Sequence, residues 1–326
     1  MRRVAKRSAR AVLGLGPVRA ALRARAWRHD PISVLCYHTL GPDRGGPDAW
    51  TALRVADFRA QVAMLGQAYD IVPLDAAVAA GPGRKAGGRP RAVLTFDDGE
   101  AGLFRHLLPL LDDLRLPVTV YVATGQIETG RPYWFDRVMG ALGAGAREVA
   151  LPGLGHWRLP KVPGPDRWAV LGDLLEALKR VDPVRREDLA DRILADHPLP
   201  AGRPPLAPLT RDELDALAAS PWVTIGAHSH CHNLLDQITP EEATESMQRS
   251  RRLLRDWTGQ EVAHFAWPNG NRTAALGQAA AGLGFRTAAA LGDGLWRAGA
   301  DPFALPRVSV GRYDDAARLA LRLVGI

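Results

Sequence analysis

The chain has 326 residues, of which 47% are hydrophobic and 24% charged. That is enough apolar material for one large core or two smaller ones, and it excludes a disordered or fibrous protein. The formal net charge is +7, with a pI of 9.9, and two cysteines, Cys36 and Cys231, exclude a disulfide framework or a CxxC zinc knuckle.

The chain opens on a basic segment, residues 1–30. Within it, "MRRVAKRSAR" and "VRAALRARAWR" hold nine Lys/Arg and no acid. Such a start suits nucleic acid, an anionic membrane surface or a solvated helix. Interleaved aromatics and a recognisable nucleic-acid module are both missing, so no nucleic-acid partner is expected. Weak membrane-surface association is the functional reading, and a frayed basic helix the plainer one. The apolar part, "AVLGLGPV", is short, holds a proline and runs into further arginines, unlike a secretory h-region of about 7–15 apolar residues. No run of about 18 apolar residues occurs anywhere. A cytoplasmic protein, or one peripheral to the inner membrane face, is the resulting expectation.

Short apolar runs then alternate with helical stretches. "ISVLCYH" (32–38) reads as a strand. "ADFRAQVAMLGQA" (56–68) has helical spacing at Phe58, Val62, Met64 and Leu65. "RAVLTFDDG" (91–99) is a strand ending in a turn. "LFRHLLPLLDDL" (103–114) is a helix in which Pro109 must cause a bend or lie near the start. "VTVYVA" (118–123) is a β-branched strand. Residues 125–209, rich in Gly, Pro and Arg, form the least regular part and are expected to be an insertion, with a helix at 167–181. Thr210 and Glu213 form a capping-box pattern before the helix 210–220. "WVTIGAHSH" (222–230) is a strand. The helix 239–259 has Thr239 as cap, Pro240 at its first position and Gly259 as stop. Strand 264–268, helix 273–284 and strands 287–291 and 305–310 complete the chain. About seven strands separated by helices argue a parallel α/β sheet or barrel.

Two strand ends carry chemistry. "FDDG" places two adjacent carboxylates, Asp97 and Asp98, after a buried strand, where unpaired acids are costly. Standing alone, it reads equally as a helix N-cap. "GAHSHCHNLL" holds His228, His230 and His232. One turn after the strand would bring His228 and His232 to one side and turn His230 away. Two converging imidazoles suit zinc or a similar divalent ion, and one carboxylate would complete a three-ligand site with a position left for water, the catalytic pattern. Ligands in parallel α/β folds sit at the carboxyl ends of strands. The thiols of Cys36 and Cys231 read as small buried thiols near this site.

"TFDDG" together with "HSHCH" resembles the polysaccharide deacetylase family, the NodB-homology group of carbohydrate esterases. "HFAWPNG" is similar to the FAYPxG form of the family's third motif, with Trp267 where tyrosine is usual, and "VLCYHTL" to the first strand of that branch. The resemblance spans about residues 32–312, less well across 125–209. It implies a distorted (β/α) barrel of about seven parallel strands, with a deacetylase domain over 31–326. It implies metal-dependent removal of N-acetyl groups from amino sugars of a poly- or oligosaccharide or its precursor. Carried over, Asp98, His228 and His232 are the metal ligands, with Zn2+ the default and Co2+ or Ni2+ compatible, and Asp97 is the general base. An oxyanion-binding N–H is expected near Trp267. The family's late histidine is missing, and so is the arginine that orients the base in the common third motif. His38 is the substitute expected as general acid or substrate-orienting group, against a structural role, and His230 could reach the rim. Trp267, Pro268, Asn269, Gly270 and Arg272 are expected around the substrate. Trp134 and Phe135 would stack on sugars or pack in a core. Arg307 would serve the site or tie the last strand to the barrel. Two rivals are a deformylase or deacylase of another amide at the same metal centre, and a silent carbohydrate-binding protein. The latter conflicts with the presence of all four of Asp97, Asp98, His228 and His232. Acyl group, sugar and oligomeric state are not readable from the sequence.

Overall fold

The structure is a computed structural model that describes residues 25–46, 49–83, 88–143, 145–162, 164–199, 206–292 and 294–325. The basic segment before residue 25 lies outside the described residues. Its strands are β1 (Ile32–Tyr37), β2 (Thr39–Gly41), β3 (Ala52–Arg54), β4 (Asp70–Ile71), β5 (Arg91–Phe96), β6 (Val118–Val122), β7 (Glu148–Leu151), β8 (Gly155–Arg158), β9 (Val223–Ala227), β10 (His264–Ala266), β11 (Thr287–Ala289) and β12 (Val308–Ser309). Seven of these form one parallel sheet in the order β11-β10-β9-β6-β5-β1-β12, and the two-residue β4 adds to the start of β5. The expected seven-stranded distorted barrel is what the chain forms.

The strands are parallel because helices connect them, and both faces of the sheet are covered. All six residues of β1 and all five of β6 are accordingly buried. The sheet curls until its edges meet through one short segment. Leu305 N–H donates to Ala288 O, and Ala290 N–H donates back to Leu305 O. Three residues on, β12 pairs with β1.

Register fixes the site. Tyr37 is opposite Phe96 and Val122 opposite Ala227. The residues that follow, His38, Asp97 and His228, therefore leave the sheet at one rim.

The local chemistry read from the sequence operates as expected. The expected capping box forms at Thr210/Glu213, Thr239 caps its helix and adds a second box with Glu242, and Gly259 ends that helix in the left-handed region. Pro109 has no N–H to close the helical ladder, and a π turn over Leu103–Leu107 precedes the helix Leu108–Leu114.

Residues 125–209 are more regular than their composition suggests. They carry the helices Trp134–Gly143, Pro165–Lys179 and Pro183–Asp196 and the hairpin β7–β8. Pro165 and Pro183 begin helices, where a missing N–H costs nothing. Trp134, Val138, Leu142, Leu171, Leu174, Leu178 and Ile193 pack into a core separate from the main one. Among the described residues no helix is long and apolar enough to cross a membrane.

Candidate active site

Asp97 and Asp98 follow β5 in a tight turn. Asp98 (φ 74°) and Gly99 (φ 75°) are both left-handed. A β-carbon on Gly99 would lie 3.1 Å from Val122, so the turn needs glycine for both conformation and space. The strained Asp98 is held by its own carbonyl, which accepts from the Tyr133 hydroxyl.

Asp97 is 3% exposed. Its two carboxylate oxygens accept from the guanidinium of Arg307, at 2.6 and 2.7 Å, and Oδ2 also accepts from the Cys36 thiol at 3.4 Å. Burial works to raise the Asp97 pKa, but Arg307 and His228 outweigh it and hold the carboxyl below its ordinary range. Burial pushes the Cys36 thiol well up, so it stays a small neutral group as expected, whereas Cys231, expected to be buried, is exposed on the loop between His230 and His232. Arg307, which directly precedes β12, is fully buried.

Asp98 faces the other way. Its Oδ1 lies 3.3 Å from His228 Nε2 and 3.1 Å from His232 Nε2, and the three ligand atoms all lie within 4.8 Å of one another. His228 Nδ1 donates to Ala266 O at 2.7 Å, which fixes the ring with Nε2 facing Asp98; burial is outweighed by the bond to Asp98 and the charge of Asp97, which raise the His228 pKa. Burial favours a neutral His232 and holds its pKa below the ordinary value despite Asp98. The donor set, two imidazoles and one carboxylate, fits a divalent metal of the zinc class.

The loop bearing these ligands is pinned along its length. Gly125 N–H donates to His230 O at 2.7 Å, His230 N–H to Ser246 Oγ at 3.0 Å and His232 N–H to Ser229 Oγ at 3.0 Å. A β-carbon on Gly125 would sit 2.6 Å from His230 O. The His232 ring packs against Tyr133 and Phe135, at 4.9 and 5.4 Å between centroids. His230 turns away as expected, with Nδ1 2.8 Å from Thr124 Oγ1, and does not reach the rim.

One cavity collects His38, Asp97, Asp98, His228 and His232, walled by Trp50, Trp134, Phe135, Leu175 and Leu291, with Lys179, Arg186 and Asn269 at its polar positions. His38 stands edge-on to Trp50 at 5.3 Å, and its Nδ1 is buried without a partner. His264 lies at the opposite end of its strand, bonded to Asp75 and Thr287.

The third motif departs from expectation. Trp267 shares a strand face with Phe265, two residues earlier, and that face points into the core. Its ring is fully buried against Phe265, and its indole N–H donates to Phe303 O at 2.9 Å. It does not line the cavity. The Trp267 backbone N–H is taken by Ala289 O and Pro268 has none, so neither supplies the expected oxyanion donor. Pro268 is buried. Asn269 does line the cavity. Gly270 (φ 77°) lets Leu291 approach, since a β-carbon would lie 2.6 Å from its nitrogen. Arg272 is exposed and outside the cavity. Trp50, Leu175, Lys179, Arg186 and Leu291 were not anticipated, because no motif surrounds them and only the fold of 125–209 brings three of them to the rim.

Comparison with known proteins agrees with this geometry. The family model described as polysaccharide deacetylase matches residues 84–288. Among solved structures, the chain is similar to the Streptococcus pyogenes deacetylase PplD in complex with acetate (16% identity, TM-score 0.60, 90% of this chain and 98% of that one). It is also similar to IcaB from Ammonifex degensii (18%, 0.58, 91% and 98%) and to BC0361, a polysaccharide deacetylase from Bacillus cereus (17%, 0.55, 90% and 69%). At these identities the likeness is one of fold. A search of curated proteins finds no match.

Proposed function

The chain belongs to the polysaccharide deacetylase family, and from that membership we propose that it hydrolyses the N-acetyl groups of amino sugars in a saccharide or its precursor, with a divalent metal, most readily zinc. One observation carries this reading. A buried carboxylate kept ionised by Arg307 stands beside a separate triad of Asp98, His228 and His232, and both open into the same cavity.

The division of labour follows from the partners of each acid. A cation held by Asp98, His228 and His232 would lower the pKa of water and polarise the acetamide carbonyl. Asp97, held anionic, accepts the proton of the attacking water. Arg307 orients both of its oxygens and spends none of its own contacts on substrate. His38, on the cavity wall, returns a proton to the leaving amine as the C–N bond breaks, giving acetate and a free amine. Asn269, Trp134 and Phe135 contact the sugar. The membership and the polysaccharide deacetylases among similar folds support a saccharide substrate.

Acetate release from N-acetylglucosamine oligomers and nucleotide-linked N-acetyl sugars, measured on protein loaded with zinc, tests the proposal with Asp97→Asn alongside. Acetate from the wild type and none from the variant is the expected result. Absence of both acetate and bound metal would overturn it.

A further inference from the structure

The cavity holds a cation that the proposed hydrolysis leaves without a task. Arg186 sits at the start of the helix Pro183–Asp196, contributed by the segment 125–209. It is 2% exposed and lines the cavity that holds Asp98, His228 and His232. Among the described residues its guanidinium makes one hydrogen bond, to Asn233 Oδ1 at 3.0 Å, and Asn233 directly follows His232. Its guanidinium lies 5.2 Å from the Trp134 ring. Nε is buried without a partner. Among the described residues no carboxylate comes within ion-pair distance of it, whereas Arg137 on the neighbouring helix is paired with both Glu187 and Asp191.

A buried guanidinium without a counter-charge is costly, since desolvation is not repaid. Burial also outweighs the more distant Glu187 and Asp182 and lowers its pKa. Its planar donor fork suits two oxygens of one anion. The two carboxylates in the cavity are already engaged, Asp97 by Arg307 and Asp98 by the histidines. A second cation, Lys179, lines the same cavity, bonded to Glu176 Oε1 and Asn269 Oδ1, both at 2.6 Å. Asn269 thereby links the lysine to the third motif.

We propose that Arg186 is a binding residue for an anionic group, a carboxylate or a phosphoryl group, carried by the saccharide close to its acetylated sugar. This rests on the deacetylase reading for the identity of the substrate, but not for the anion site itself. The acidic group supplies the counter-charge that the fold withholds, and it selects charged over neutral saccharides.

The test is calorimetric titration of the full chain with three probes. These are the N-acetylglucosamine disaccharide, the disaccharide of glucuronic acid and N-acetylglucosamine, and N-acetylglucosamine 1-phosphate. At least one charged probe is expected to bind about tenfold or more tightly than the neutral one, the scale of a charge-assisted hydrogen bond. Arg186→Gln is expected to bring that ratio to about one, and Arg186→Lys to keep part of it. The winning arm says whether the anion is a carboxylate or a phosphate. Equal affinity of the wild type for all three probes overturns the proposal without recourse to any variant. So does a ratio left intact in a folded Arg186→Gln. Acetate release from the same probes separates the two readings. Arg186-dependent anion binding without acetate would leave the anion site standing and sink the deacetylation reading. Acetate with equal affinities would do the reverse.

Discussion

Replacing Arg307 by methionine removes the counter-charge of Asp97, the proposed base. The methionine retains most of the aliphatic volume, so packing around β12 is kept. What is lost is two charge-assisted hydrogen bonds, at 2.6 and 2.7 Å, between partners that are 0% and 3% exposed. Thr95 Oγ1 and Ala290 O lose their guanidinium donors as well. Breaking one side of a buried ion pair costs about 3–5 kcal/mol, because the remaining charge stays desolvated. Arg307→Met and Asp97→Asn should each cost an amount of this order in urea unfolding at neutral pH. The double variant removes both charges together, so it should fall short of the sum of the singles by roughly 2–3 kcal/mol, the upper part of the range for residues in contact. Activity should fall in Arg307→Met even with Asp97 in place, and Arg307→Lys should recover part of it, since lysine restores the charge without the fork. Additivity of the two single variants within about 0.5 kcal/mol would refute the claim that Arg307 stabilises Asp97 in the anionic form.

Other outcomes follow from single contacts. His232→Asn should abolish stoichiometric zinc binding in metal analysis while leaving the fold intact by circular dichroism, because beyond Asp98 the ring only packs against His228, Tyr133 and Phe135. His38→Asn should lower kcat by about 10²–10⁴ with zinc content unchanged, the range for loss of a general acid. Trp267→Phe should leave kcat and KM within about twofold but cost about 1 kcal/mol of stability, for the lost bond to Phe303 O; a large rise in KM would return Trp267 to the substrate. The Asp75 pKa is lowered first by its bond to His264 and also by Arg286, against burial. A depressed carboxylate contributes stability above its unfolded pKa and loses it as pH falls through the folded value. Asp75→Asn should therefore destabilise by no more than about 1 kcal/mol at neutral pH, given its exposure, and the gap between variant and wild type should close in acid unfolding titrations.

How much of this was legible in the sequence depends on the range of the cause. Features with a local cause were read correctly. Thr210 and Glu213, three residues apart, close a capping box whatever surrounds them. The alternation of short apolar runs with helices gave the parallel sheet. The two acids after β5 and the histidines after β9 come together because parallel strands in register deliver their ends to one rim. The segment 125–209 is more regular than its Gly-, Pro- and Arg-rich composition suggests, because Pro165 and Pro183 occupy the one helical position that tolerates proline.

Side-chain direction was the harder quantity. Trp267 sits in the motif and beside the site in sequence, yet strand alternation sends it to the core with Phe265. Asn269, two residues on, reaches the cavity because the chain has left the strand and turned through a left-handed residue. Arg307 shows the reverse case. It lies 210 residues from Asp97, and no local pattern distinguishes a surface ion pair from one that anchors a catalytic base. Only closure of the barrel, with β12 against β1 and Leu305 bonded to the β11 edge, carries the guanidinium under the carboxylate. The barrel's last turn and the counter-charge of the proposed base are thus one structural event, so truncation before Leu305 should remove the orientation of Asp97 together with the closing contacts of the sheet.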